Sequence, residues 1–169
     1  VYELEIRDSL YRGRQDFVYR ISVGEEPFVK TLFPLGGRAG EETVATIDGW
    51  NLPEKRLRLD TRPGDEPYRE TADGLTYAVD TLPECAEVEP NDDVRTAQQT
   101  DLPRIVNGRI GSPGDADVFR FQGRTGDEIV AEVVARRLRS PLDSLVRLTD
   151  AAGNTVAWND DLEHKDGDL

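Results

Sequence analysis

The apolar residues of this chain come in short alternating runs, each cut off within a few positions by glycine, proline, aspartate or asparagine. VYELEIR at 1–7 sets Tyr2, Leu4 and Ile6 against Glu3, Glu5 and Arg7, and DFVYRISV at 16–23 sets Phe17, Tyr19, Ile21 and Val23 against Val18, Arg20 and Ser22. Side chains two apart share one face of a strand, so each run predicts a strand with one face to bury. EIVAEVVAR at 128–136 has Ala, Glu and Arg that would suit a helix, but its β-branched residues and the flanking turn signals GRTGD and RSPLD favour a strand. The 15 glycines and 10 prolines supply the corners that such a chain needs. The expected class is all-β, built as small antiparallel sandwiches.

Three units follow from the spacing of these runs. Residues 1–24 read as a hairpin with SLYRGRQ as its connection, and an isolated hairpin is marginal in water, so its apolar face needs a partner. Residues 25–83 hold PFVKTLFPLGG, TVATIDGWNLP, RLRLD and LTYAVDT, the pattern of a small sandwich. The boundary falls in TLPECAEVEPNDD, where proline and acids replace any hydrophobic period. Residues 84–169 then offer IVNGRI, DVFRFQ, EIVAEVVAR, SLVRLTD and NTVAWND, with DAAGN at 150–154 as a hairpin turn whose Gly153 and Asn154 tolerate positive φ.

Charge narrows the partners. The net charge of -13 is spread evenly, with 17 acids against 11 bases in residues 1–84 and 17 against 10 in residues 85–169. Nucleic acid requires clustered Lys and Arg to displace counterions, and an anionic membrane surface would repel such a chain, so neither is an expected partner. Divalent cations and basic partners are the natural company. The single cysteine, Cys85, permits no disulfide within the chain. The sequence starts at Val1 with no signal segment and no run long enough to cross a bilayer, and it reads as a mature or excised piece of something longer.

The densest chemistry lies in AEVEPNDDVRTA at 86–97, where Glu87, Glu89, Asn91, Asp92 and Asp93 crowd oxygens around one proline. Two readings stand side by side. Calcium takes six to eight oxygens from carboxylates, amides and carbonyls, so it wants several acids on a bent polar segment. Alternatively, Pro90 and Asn91 make a turn, and Asn91 or Asp92 caps a short helix through Val94 and Ala97. Asp115 and Asp117, in the corner GDAD, form a second acidic pair just before a strand. WNDDLEHKDGD at 158–168 lacks the glycine and glutamate spacing of an EF-hand and reads as a solvated loop, with Asp143 as a possible neighbour.

Catalysis finds little support. His164 is the single histidine and lies in a charged loop, nothing in the sequence brings Cys85 to it, and one Cys with one His falls short of a structural zinc site. Trp50 and Trp158 end strands, which allows a flat stacking surface for collagen or carbohydrate, although such residues more often sit partly buried at a sandwich rim. Tyr11 with Arg12 and Arg14 forms another candidate contact patch, where the plain loop reading is favoured.

The third unit resembles the bacterial pre-peptidase C-terminal domain, a jelly-roll-like β-sandwich appended to secreted proteases, collagenases and large surface proteins. The residues that carry the likeness are EVEPNDD at 87–93 with Ala97, NGRI at 107–110, GDADVFRF at 114–121, the GD of GRTGDEI, and LDSLVRLTDAAGNTVAWNDD at 142–161. Collagenase members hold calcium between an EPND-like segment and an acidic corner. The resemblance therefore implies Glu87, Glu89, Asn91, Asp92 and Asp117 as calcium ligands, with Asp115 less well matched because Gly114 stands where some members have another acid. Asp93 falls outside that set. The family usually closes with two further strands that this unit lacks, and the hairpin at 1–24 looks like that pair at the other end of the chain. FPLGGRAGEETVATIDGWNL at 33–52 is similar to immunoglobulin-like IPT/TIG-type spacer domains of extracellular proteins.

These implications combine into an expectation: a non-catalytic extracellular or cell-surface module, calcium-stabilised, serving spacing or adhesion in an array, with neighbouring domains or other copies as partners. In that reading the hairpin of one chain completes the third unit of another by strand addition. The alternative is a targeting domain of a secreted peptidase or hydrolase that binds a collagen-like protein or a polysaccharide.

Overall fold

The structure, a computed structural model, describes residues 1–160. His164 and most of the acidic loop at 158–168 lie outside the described residues. The chain is all-β, with one 3₁₀ turn at Arg136–Leu138 as its helical element among the described residues.

Residues 28–80 hold six strands: β1 (Phe28–Phe33), β2 (Gly36–Arg38), β3 (Val44–Trp50), β4 (Arg56–Arg58), β5 (Tyr68–Glu70) and β6 (Thr76–Asp80). They form two sheets, β1-β3-β4 and β2-β6-β5. Alternation decides what is inside. In TVATIDGW, Ala45 and Ile47 are buried while Thr46 and Asp48 are exposed, and in TYAVD the buried pair is Tyr77 and Val79. Leu32 and Leu59 complete a core of six buried residues, against which Val29, Leu35, Ala39, Leu52, Leu57 and Leu75 pack. The hydroxyl of buried Tyr77 donates to the carbonyl of Asp60 at 3.3 Å, so its polar end is not left orphaned.

The pairing is less uniformly antiparallel than alternation predicts. β1–β3, β3–β4 and β5–β6 are antiparallel, but β2 runs parallel to β6. Two further parallel pairs join β7 (Glu84–Ala86) to β9 (Ile105–Asn107) and β8 (Gln98–Gln99) to β10 (Phe119–Arg120). A sandwich strand that crosses between layers returns in the direction of its new neighbour, and sequence alternation carries no sign of that direction. The hairpin β11 (Val146–Thr149) with β12 (Thr155–Asn159) forms as expected around DAAGN, where Asp150 accepts from the backbone N–H of Ala152 and Asn154, and Gly153 has φ +87°.

Two expected strand regions are not strands. Residues 1–27 form no ladder: Tyr2, Val18, Tyr19 and Val23 are all at least 70 % exposed, and local contacts such as Arg14 over the Phe17 ring at 4.8 Å replace cross-strand pairs. Alternation supplied a face, but no sheet covers it, and ladder bonds alone do not offset the entropy of ordering a lone hairpin. EIVAEVVAR likewise forms no strand. Ile129 and Val130 stay exposed, and the run ends with Ala135 and Leu138 buried around the 3₁₀ turn.

Residues 84–160 meet the core unit through contacts that include two sets of hydrogen bonds. Asn107 accepts from the backbone N–H of Leu35 at 3.0 Å, and Arg139 donates to the carbonyl of Gly74 and to Glu70, both at 2.9 Å.

Candidate metal centre

β7 leaves the core unit and carries the chain into EVEPNDD. Glu87 is fixed twice by the strand beside it, since its N–H donates to the Asn107 carbonyl at 2.9 Å and its Oε1 accepts from Arg109 N–H at 2.8 Å. The chain then bends at the cis Glu89–Pro90 peptide, and Glu89 Oε2 accepts from Asn91 N–H at 2.8 Å. Asn91 is fully buried, and its carbonyl accepts from Val118 N–H at 3.0 Å, which ties this turn to the GDAD corner. That corner brings Asp115 and Asp117 from the other side. Asp115 is itself held by Gly111 N–H.

The result is five carboxylates in two overlapping triads. Glu87, Glu89 and Asp117 form one, and Glu89, Asp92 and Asp115 the other, with ligand oxygens in each within 4.8 Å of one another. Two oxygens at about 2.4 Å from one calcium ion can be at most about 4.8 Å apart, so either triad fits within a single coordination sphere. Among the described residues, no cation pairs with any of the five.

The cost of this arrangement shows in the polar atoms. Glu87 Oε2, Asp117 Oδ1 and both side-chain polar atoms of Asn91 are buried with no hydrogen-bond partner. Burial above all, then the neighbouring Glu87 carboxylate and the charges of Asp115 and Glu89, push the Asp117 carboxyl up to about 7. Asp92 is raised too, chiefly by the hydrogen bond it shares with Asp115. Asp115 is lowered, first by the Gly111 N–H. A hard divalent cation would satisfy these orphaned oxygens, and the donor set, all oxygen with no sulfur or imidazole, matches calcium rather than zinc.

Of the six residues singled out from the sequence, Glu87, Glu89, Asp92, Asp115 and Asp117 converge here, and Asn91 lies buried in the same turn. Asp93 does not. Its Oδ1 accepts from Arg95 and Thr96 N–H at 2.7 and 3.2 Å, so it closes a local turn, and the alternative reading of a polar turn is realised there without a helix. Gly114 has φ +91°, so the absent acid at that position answers to backbone shape. Asp143 belongs elsewhere, 2.8 Å from Arg136.

Sequence reasoning missed Gly108. A Cβ there would lie 2.8 Å from both Glu87 Oε2 and Asp117 Oδ2, so a side chain at this position would push the two carboxylates from where they now lie. A glycine inside an apolar run, as in IVNGRI, is the available signal of such close approach.

No family model matches the sequence, and no solved structure does. Among curated proteins, a probable subtilase-type serine protease of Deinococcus radiodurans is 40 % identical over 81 residues, 46 % of this chain and 11 % of that protein. No helix among the described residues is long and apolar enough to cross a membrane. The chain thus shares a segment with a much longer protease-type protein, of which the match spans about a tenth.

Proposed function

We propose that this chain is a non-catalytic, calcium-stabilised module of a multidomain extracellular protein, working beside a peptidase or a comparable secreted partner domain. The observation that carries the reading is the carboxylate cluster with buried, unpartnered oxygens on Glu87, Asn91 and Asp117. Glu87, Glu89 and Asp117, with Asn91, Asp92 and Asp115 around them, would hold the ion. When bound, calcium would supply positive charge to carboxylates that otherwise repel one another. The likeness to part of a probable subtilase-type protease supports a peptidase setting, and with it an extracellular location.

The test is thermal unfolding with calcium and with chelator. Calcium at a hundred times its Kd should add about 2.7 kcal/mol, raising the midpoint by roughly 5–10 °C for a chain of this size. A midpoint indifferent to chelation would end the calcium reading.

A second reading, substrate targeting, draws on exposed aromatics. Trp50 is 59 % and Trp158 64 % exposed, more open than the rim position expected of them, and Phe28 packs 5.8 Å from the Trp50 ring to widen that surface. Retention on insoluble collagen or polysaccharide, lost on Trp50→Ala or Trp158→Ala, would support targeting. A pure spacer passes through both.

A further inference from the structure

The strand that closes the acid cluster also seats the core unit. Asn107 ends β9 and Gly108 and Arg109 follow it, and the contacts of the outer two residues differ from those of the middle one. Asn107 Oδ1 accepts from Leu35 N–H at 3.0 Å while its amide donates to Glu84 at 3.0 Å, and the Arg109 guanidinium lies 4.0 Å from the Phe33 ring centroid. Gly108 lies against Glu87 and Asp117. The backbone of the same three residues grips Glu87 from both sides, through the Asn107 carbonyl and Arg109 N–H.

We infer that Asn107–Gly108–Arg109 is a strap that couples the acid cluster to the joint with residues 28–80, so that a bound divalent cation fixes the seat of a unit contributing no ligand to it. This rests on the calcium reading of the cluster. An ion that draws Glu87 and Asp117 together sets the path of the strap between them, and the strap's outer residues then hold Leu35 and Phe33 in place. Coupling of this kind is reciprocal: whatever the ion contributes to the joint, the joint returns to ion affinity. Asn107 and Arg109 are therefore positioning residues for a site they do not line.

The joint carries its own reporter. Cys85, the chain's single thiol, is half-buried in a cleft of about 250 Å³ lined from one side by Phe33 and Pro34 and from the other by Glu84 and Asn107. Its reaction with a maleimide or disulfide reagent reads the opening of the joint directly.

The experiment uses the full chain, with calcium affinity measured by titration calorimetry and Cys85 reactivity measured in calcium and in chelator. In the unaltered protein, calcium should slow the thiol reaction severalfold. Asn107→Ala should react fast in both conditions and bind calcium more weakly, by roughly fivefold or more, the lower end of typical coupling. Arg109→Ala, an exposed side chain whose loss leaves the backbone N–H on Glu87 intact, should move both readouts the same way and guards against misfolding of the first variant. Gly108→Val should abolish calcium binding and leave the thiol rate indifferent to calcium. If both strap variants bind calcium as the unaltered protein does, and calcium leaves Cys85 reactivity unchanged, the coupling is overturned while the calcium site stands. If the unaltered protein binds no calcium, both readings fall.

Discussion

Residues 28–80 and residues 84–160 solve the problem of staying folded by opposite means. The first unit encloses six buried side chains, of which five are aliphatic and the sixth is a tyrosine with its hydroxyl paired. In the second, the largest fully buried side chain is Asn91, and beside it lies a cluster of like-charged carboxylates, half-buried to exposed, in which Glu87 and Asp117 each keep one buried, unpartnered oxygen. A dry core is self-sufficient because the hydrophobic effect needs no bound ion or proton. A crowded acid cluster is conditional, since its charges repel until a proton or a cation arrives. The two halves should therefore respond to different reagents.

The largest effect should come from the core. Ile47→Ala removes a side chain only 7 % exposed and should cost about 2–5 kcal/mol. Denaturant titrations should show that loss equally in calcium and in chelator. A loss confined to one condition would mean the core unit is not self-sufficient.

Between about pH 4 and pH 7 the titration that should matter is in the second half, at Asp117. An acid near 3.8 in the unfolded chain and about 7 when folded keeps its proton only in the folded state between those values. Without ion, Asp117 should thus make stability fall as pH rises from about 4 to about 7, with the loss complete above that. Asp117→Asn should flatten that slope and abolish the calcium response. A slope of the opposite sign in the unaltered protein would remove Asp117 from the cluster.

The smallest effect separates ligand from bystander. Asp93→Ala should lower the unfolding midpoint only slightly, through its lost turn hydrogen bonds, and leave calcium affinity as it was. A large drop in affinity would place Asp93 among the ligands.

The two halves also differ in how much of them could be read in advance. TVATIDGW and TYAVD announce their buried faces because both sides of the sandwich lie within the same fifty or so residues, and each alternating run finds the other. VYELEIR and DFVYRISV alternate just as cleanly and form no strand, because alternation specifies a face and says nothing of what will cover it. The parallel pairing of β2 with β6, and of β7 with β9, depends on where the chain goes between them, which no local pattern encodes. At the cluster, the acids were legible as types, since crowded carboxylates on a bend are expensive without a reason. Joining Glu87 to Asp117 took the family likeness, and Gly108, whose contribution is the absence of a side chain, left only a faint mark.

One irregularity in the core unit bears on how the molecule behaves in company. β1 is an outer strand of its sheet, and its register with β3 slips between Val29 and Thr31, leaving Lys30 unmatched. The opposite outer strand, β4, is three residues long and shows Arg56 and Arg58 to solvent. An open, regular edge would be a template on which another chain could add a strand. Here one edge is broken by a bulge carrying a cation and the other is short and doubly charged, so the sheet β1-β3-β4 offers a poor template for strand addition at either edge.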